Sequence, residues 1–191
     1  MAGGAAIAML LIGCGTPPPA TPAHRLVAED AVLSVEAHGL TVHARQATVG
    51  DNGEGSARSV RADAPGLEIT SDHSQWRFSD QTATFTGQVR VTRGDTLLTC
   101  QALTVSLGDG EQIRDAVASG GVVVSQAGRR AEAEQADLDG ATGRIVLTGS
   151  PALLQERRTL TGERITIWLD DERVDCEQCT LTLNGDAIGG G

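Results

Sequence analysis

The feature that most constrains this chain is a slip in an alternating pattern that recurs along it. From Ala83 to Leu107 the sequence reads ATFTGQVRVTRGDTLLTCQALTVSL, with apolar and polar residues alternating on either side of a turn at Arg93-Gly94-Asp95. In Leu98-Thr99-Cys100 the apolar residues are even-numbered, whereas in Leu103-Thr104-Val105 they are odd. A β-bulge or bend between the two absorbs the extra residue and keeps both sets on one face. The pattern returns as Gly120, Val122, Val124, Ala131, Ala133, Ala136 and Leu138, and again as Gly149, Leu153, Leu160, Gly162, Ile165, Ile167 and Leu169. A weaker copy lies upstream at Val60, Ala62, Leu67 and Ile69, and the second half alone recurs as Val174, Cys176, Cys179, Leu181 and Leu183. The unit is a strand TGxVxV, a turn, and a bent strand LxCxxLxV. Copies of such a unit bury their apolar faces only on one another.

Composition supports an all-β domain and excludes some partners. The 24 glycines, the many Thr and Val residues and the lack of a sustained helical apolar period argue against helices. All 15 basic residues are Arg, and the net charge of -10 repels nucleic acid and anionic membrane surfaces. Two Trp, two Phe and no Tyr leave little from which to build a stacking platform for bases or sugars. The interior must be aliphatic.

The N-terminus carries a second signal. An apolar run from Ala5 to Ile12, too short to span a bilayer, ends in Leu11-Ile12-Gly13-Cys14. It resembles the bacterial lipoprotein signal, which implies that residues 1–13 are removed and Cys14 is acylated. No Lys or Arg precedes the run, a departure that leaves open a start upstream of Met1. The Pro-rich stretch after Cys14 reads as an extended spacer, so residues 14–30 form the lipidated tether, 31–184 the folded domain and 185–191 a Gly-rich tail. Gly15 stands where an Asp would retain an enterobacterial lipoprotein in the inner membrane, which tilts the expectation toward the outer one.

The ordered series Ala62-Asp63, Thr86-Gly87-Gln88-Val89-Arg90-Val91, Ser119-Gly120-Gly121-Val122-Val123-Val124 and Ala136-Asp137-Leu138 resembles the OstA-like lipopolysaccharide-transport family, the LptA/LptC-like proteins. The resemblance implies an open, V-shaped β-jellyroll of two antiparallel sheets. It also implies a periplasmic location, acyl chains of lipopolysaccharide sheltered inside, and joining to other jellyrolls through edge strands. The lipobox departs from the soluble bridge protein and from the docking partner with its transmembrane helix, so the choice between those two roles stays open.

The residues themselves nominate a site. Val89, Val91, Leu98, Leu103, Val105, Val122, Val124, Leu138, Ile145, Leu147, Leu153, Leu160, Ile165 and Ile167 are expected to line the interior, where methyl-rich walls suit acyl chains at about 0.8 kcal/mol per buried CH2. The same residues would equally close on one another as a filled sandwich core, the mark of a structural envelope lipoprotein. Arg93, Arg129, Arg130, Arg157 and Arg158 fall at turns of one kind, where guanidinium groups could meet lipid phosphates or simply keep the turns solvated.

Cys176-Glu177-Gln178-Cys179 invites a zinc or redox reading. Zinc wants four ligands, yet His24, His38, His43 and His73 are scattered and no second CxxC occurs. Redox motifs of this spacing open a helix, and none is expected. The repeat places Cys176 at the position of Cys100 and Cys179 at that of Leu103, as wall residues. A structural disulfide among Cys100, Cys176 and Cys179 is the expectation, with the pairing open. Ser71-Asp72-His73-Ser74 has the letters of a nucleophilic triad, but neighbours on one strand rarely form one, so it reads as a polar loop. Asp109-Gly110-Glu111 and Asp170-Asp171-Glu172 read as loop and acidic turn. Neither an enzyme nor a cofactor is expected.

Overall fold

A computed structural model describes residues 25–35, 40–51, 53–108, 113–169 and 173–183. The chain runs back and forth as fourteen strands of one antiparallel sheet. They are β1 (Arg25–Val35), β2 (Leu40–Gly50), β3 (Glu54–Ala64), β4 (Leu67–Arg77), β5 (Thr82–Arg93), β6 (Thr96–Leu107), β7 (Ile113–Gln126), β8 (Arg129–Asp139), β9 (Arg144–Thr148), β10 (Ala152–Gln155), β11 (Arg158–Thr161), β12 (Arg164–Trp168), β13 (Val174–Glu177) and β14 (Thr180–Leu183). Up to β8 each strand pairs with the next, the signature of a meander of hairpins. Beyond β8 each pass breaks in two. One half continues the sheet as β10, β11 and β14, and the other as β9, β12 and β13.

A line of bends divides every pass at mid-length. Asp30, Ser59, Gln88, Gly121, Ser150 and Gln178, one on every second pass, all have positive φ. At Gly87-Gln88 and at Gly120-Gly121 two residues oppose one on the neighbouring strand, which is a β-bulge. Glycine stands in front of three of these bends, at Gly87, Gly120 and Gly149. Gly120 has φ of 81°, and a β-carbon there would lie 2.8 Å from Cβ of Gln101, while one at Gly149 would lie 2.5 Å from Cβ of Glu134. The recurring TG pair is therefore the sequence mark of a crease.

The crease folds the sheet into two facing walls. Wall A holds residues 73–77, 82–86, 102–107, 113–119 and 135–139 of β4 to β8, continued by β9, β12 and β13. Wall B holds residues 67–70, 89–93, 96–100, 122–126 and 129–133, continued by β10, β11 and β14. The two sheets expected from the resemblance are thus continuous through the long strands and separate only beyond β8. Neither end of the path closes on the other, so the jellyroll is open.

The structure refines three expectations. The slip after Cys100 is a bend that keeps Cys100 and Leu103 both buried. The inserted residue itself belongs to the flanking TGxV strands, because the bulges lie on β5 and β7. The first strand opens at Arg25 rather than residue 31. The third is a correction: β13 and β14 do not repeat the second half of the unit. They run from wall A to wall B, as β5 does and opposite to β6, so Cys176 belongs to the wall A row beside Ile165 and not to the position of Cys100. A short apolar alternation reads the same in both directions, so strand polarity is invisible in it. Residues 1–24, the Cys14 lipobox and spacer, the Asp109-Gly110-Glu111 and Asp170-Asp171-Glu172 segments and the 185–191 tail lie outside the described residues.

Candidate functional site

The inner face is built from rows of side chains that run across the strands. On wall A, beside the crease, Ala57, Ser74, Phe85, Leu103, Ala118, Ala136, Leu147, Ile165 and Cys176 stand in unbroken register. One step outward runs Gly55, Trp76, Ala83, Val105, Ala116, Leu138, Ile145, Ile167 and Val174. On wall B the outer row is Val42, Ala62, Ile69, Val91, Leu98, Val124, Ala131, Leu153, Leu160 and Leu181. Nearer the crease stand Val89 opposite Cys100 and Val122 opposite Ala133. Period-two alternation puts every second residue of a strand on this face.

All fourteen nominated interior residues fall on these rows. Val89, Leu103, Val105, Val122, Val124, Ile145, Leu147, Leu153, Ile165 and Ile167 are buried, and Val91, Leu98, Leu138 and Leu160 are partly buried against them. Phe85, also buried, escaped the sequence reading although it lies in phase with Val89. Ser71 and Ser74 escaped it too, because serine carries no apolar signal. Both are buried, and they share the three-residue spacing of Cys100 and Leu103. Near the C-terminal end the walls leave a shallow recess lined by Val124, Gln126, Arg129, Ala131 and Leu153 of wall B and by Ile167, Leu169 and Val174 of wall A.

Of the five nominated arginines, the structure groups two. Arg129 lines the recess at the rim of wall B. It registers with Gln155, which registers in turn with Arg158. Arg158 shares the inward parity of Leu160. Arg130 points outward and is held by Glu132 at 2.8 Å. Arg157 sits in the turn between β10 and β11. Arg93 ends β5, with β6 and β7 between it and β8, roughly 14 Å away at the usual strand spacing.

The cysteines resolve into one pair and one free thiol. Cys176 and Cys179 form a disulfide with Cα atoms 5.9 Å apart, spanning the break between β13 and β14 at Gln178. Cys100 is free and buried, and burial pushes its thiol above the ordinary range. Such a thiol is inert. Among the described residues, no three His, Cys, Asp or Glu side chains gather as metal ligands. Ser71 and Ser74 face inward while Asp72 and His73 face out, and the Ser71 hydroxyl donates to the His73 carbonyl at 2.9 Å rather than to its ring. The four side chains do not converge.

Both lateral edges expose apolar side chains. On β14, which pairs only with β11, Leu181 and Leu183 are 58% and 69% exposed. On β1, Leu26 and Val27 are similarly open.

Fold and interior together define an open β-jellyroll whose apolar walls run from one free edge to the other. The family model for the LptA/(LptD N-terminal domain) LPS transport protein matches residues 68–173. That span is more than half of the chain, and the chain belongs to this family, as the OstA-like resemblance implied. Among solved structures it is similar to LptH, the LptA homologous periplasmic component of the conserved lipopolysaccharide transport device from Pseudomonas aeruginosa. The TM-score is 0.57 at 18% identity, covering 62% of this chain and 95% of that one. At that identity the likeness is one of fold. No curated protein matches the sequence.

Proposed function

We propose that this chain is a periplasmic, lipid-anchored component of lipopolysaccharide transport that shelters acyl chains between its two walls. The observation that carries the proposal is the continuity of the wall B row, which runs from Val124 and Ala131 at the recess through Leu153 and Leu160 to the exposed Leu181 of β14 without a charged residue in it. An acyl chain placed along this row loses water against methyl-bearing side chains. Arg129 and Arg158 stand at the rim of wall B, where guanidinium donors suit the phosphates of a lipid headgroup. The edge strands support head-to-tail joining, since β14 presents a free backbone edge that a second jellyroll can extend.

Site-specific photo-crosslinking tests the shelter. A crosslinker at Val91, Val105 or Ile167 should capture lipopolysaccharide, whereas one at Arg90 or Thr104, on the exposed outer face, should not. Equal capture from both faces would refute it. A second reading, a filled sandwich serving as an envelope scaffold, is favoured by the burial of Leu147 and Ile165, each 0% exposed. It predicts no capture from any inner position.

Two substitutions probe the remaining parts of the proposal. Leu181→Pro removes a ladder donor from β14 and should weaken association between jellyrolls while the domain stays folded, as read by light scattering and thermal unfolding. Cys14→Ser should release the protein from membranes, as read by fractionation and intact mass, because the acidic domain offers no second anchor.

A further inference from the structure

Two polar atoms on the inner face have no partner. Ser74 Oγ and Trp76 Nε1 are both buried and neither makes a hydrogen bond. Ser74 as a whole is only 3% exposed. They stand at alternate positions of β4 and therefore on the same side of it. Ser74 registers between Ala57 and Phe85, and Trp76 between Gly55 and Ala83. None of these four neighbours has a side chain that can donate, accept or carry charge. The other buried serine of β4 behaves differently, since Ser71 is satisfied by the His73 carbonyl. An unmade hydrogen bond in an apolar interior costs more than a made one contributes, so a pair of such groups in a folded protein calls for a reason.

The surroundings hold the indole in place. A β-carbon at residue 55 would collide with the Trp76 ring, so the bare backbone of Gly55 is what lets the ring lie across β3. Phe78 flanks it on the rim side, with ring centroids 6.5 Å apart.

We propose that Ser74 and Trp76 form a polar station that receives a hydroxyl group carried on an aliphatic acyl chain; the inference rests on reading the interior as an acyl-chain shelter. Chemistry selects the group. The indole N–H only donates, whereas the serine hydroxyl both donates and accepts. A chain hydroxyl accepts from Trp76 Nε1 and donates to Ser74 Oγ, closing both with one uncharged atom. A carboxylate or phosphate would shed its hydration against Ala57, Ala83 and Phe85 with no compensating cation beside it. The station thus distinguishes hydroxylated chains from plain ones.

Displacement of a fluorescent polyene fatty acid from the full chain provides the test, with tetradecanoic acid and 3-hydroxytetradecanoic acid as competitors. The hydroxylated acid should displace the probe at roughly tenfold lower concentration, the equivalent of one to two hydrogen bonds. Ser74→Ala and Trp76→Phe should each abolish the difference between the two acids. Ser74→Ala should also unfold at the same temperature as the unmodified protein or higher, because it deletes a buried hydroxyl that had no protein partner. Equal displacement by the two acids, or a preference that survives both substitutions, would overturn the station and leave the shelter standing. Failure of either acid to displace the probe would overturn both.

Discussion

The N-terminal strands β1 to β4 and the later strands β5 to β14 use the same creased backbone but line it differently. Over β2, β3 and β4 the crease is flanked by Ala44, Ala47, Ala57, Val60, Ser71 and Ser74, all buried. Over β5 to β12 the corresponding rows carry Phe85, Val89, Leu103, Val122, Leu147 and Ile165 alongside Ala118 and Ala136. Ala57 at 4% exposure and Ala62 at 1% reach only a methyl group from the backbone, so larger groups must come down to cover them. One step outward on wall A, Trp76 lies across Gly55. Beyond β8 the passes split into separate strands, and the wall A row there carries the fully buried Leu147 and Ile165. The difference teaches that one creased backbone carries two kinds of lining, mostly Ala and Ser over the early strands and more branched and aromatic side chains over the later ones.

The largest effect should come from removing bulk in the later half. Leu147→Ala, at a fully buried position beside Ile165, should cost about 3 kcal/mol in denaturant unfolding. In the early half the opposite change is the harmful one. Ala57→Leu should cost about 2 kcal/mol by overpacking, and a neutral result would show that the early interior is as roomy as the later one.

Two positions along the crease differ in what they tolerate. Gly120→Ala meets both a φ of 81° and the Gln101 side chain, and should cost more than about 1 kcal/mol in thermal unfolding. Ser59 already bears a side chain at φ 51°, so Ser59→Gly should stay within about 1 kcal/mol of the unmodified protein.

The smallest effect is expected at a turn of wall A. Asp139 Oδ1 accepts from the N–H groups of Ala141 and Thr142 at 3.0 and 3.2 Å. Hydrogen bonding to Thr142 holds its carboxyl below the usual carboxylate range. A group depressed on folding contributes stability that is present above its unfolded pKa and lost as pH falls through the folded one. Asp139→Asn should therefore lower neutral-pH stability slightly, flatten the acid limb of a stability–pH curve by the same amount, and leave low-pH stability unchanged.

Much of this was legible along the chain. The parity slip of Cys100 and Leu103, the Thr86-Gly87 pair and the Ser119-Gly120 pair mark a creased strand, because only a bulge or bend keeps both halves of such a strand on one face. The same alternation assigned all fourteen interior residues to the inner rows. Strand direction was not legible, which is why β13 and β14 were misassigned to the second half of the unit. Ser74 was not legible either, since a polar residue in an apolar row looks like a loop residue until the register places it between Ala57 and Phe85.

Local periodicity by itself determined the class of fold, the creased unit and the identity of the walls, because these depend only on which residues alternate and where that alternation breaks. The tertiary structure alone decided that Cys176 pairs with Cys179 while Cys100 stays free. It alone set Arg129 beside Arg158 through Gln155 and turned Arg130 away to Glu132. It also left Ser74 and Trp76 facing inward without partners. Each of these outcomes depends on the register between strands distant in sequence, and no local pattern encodes that register.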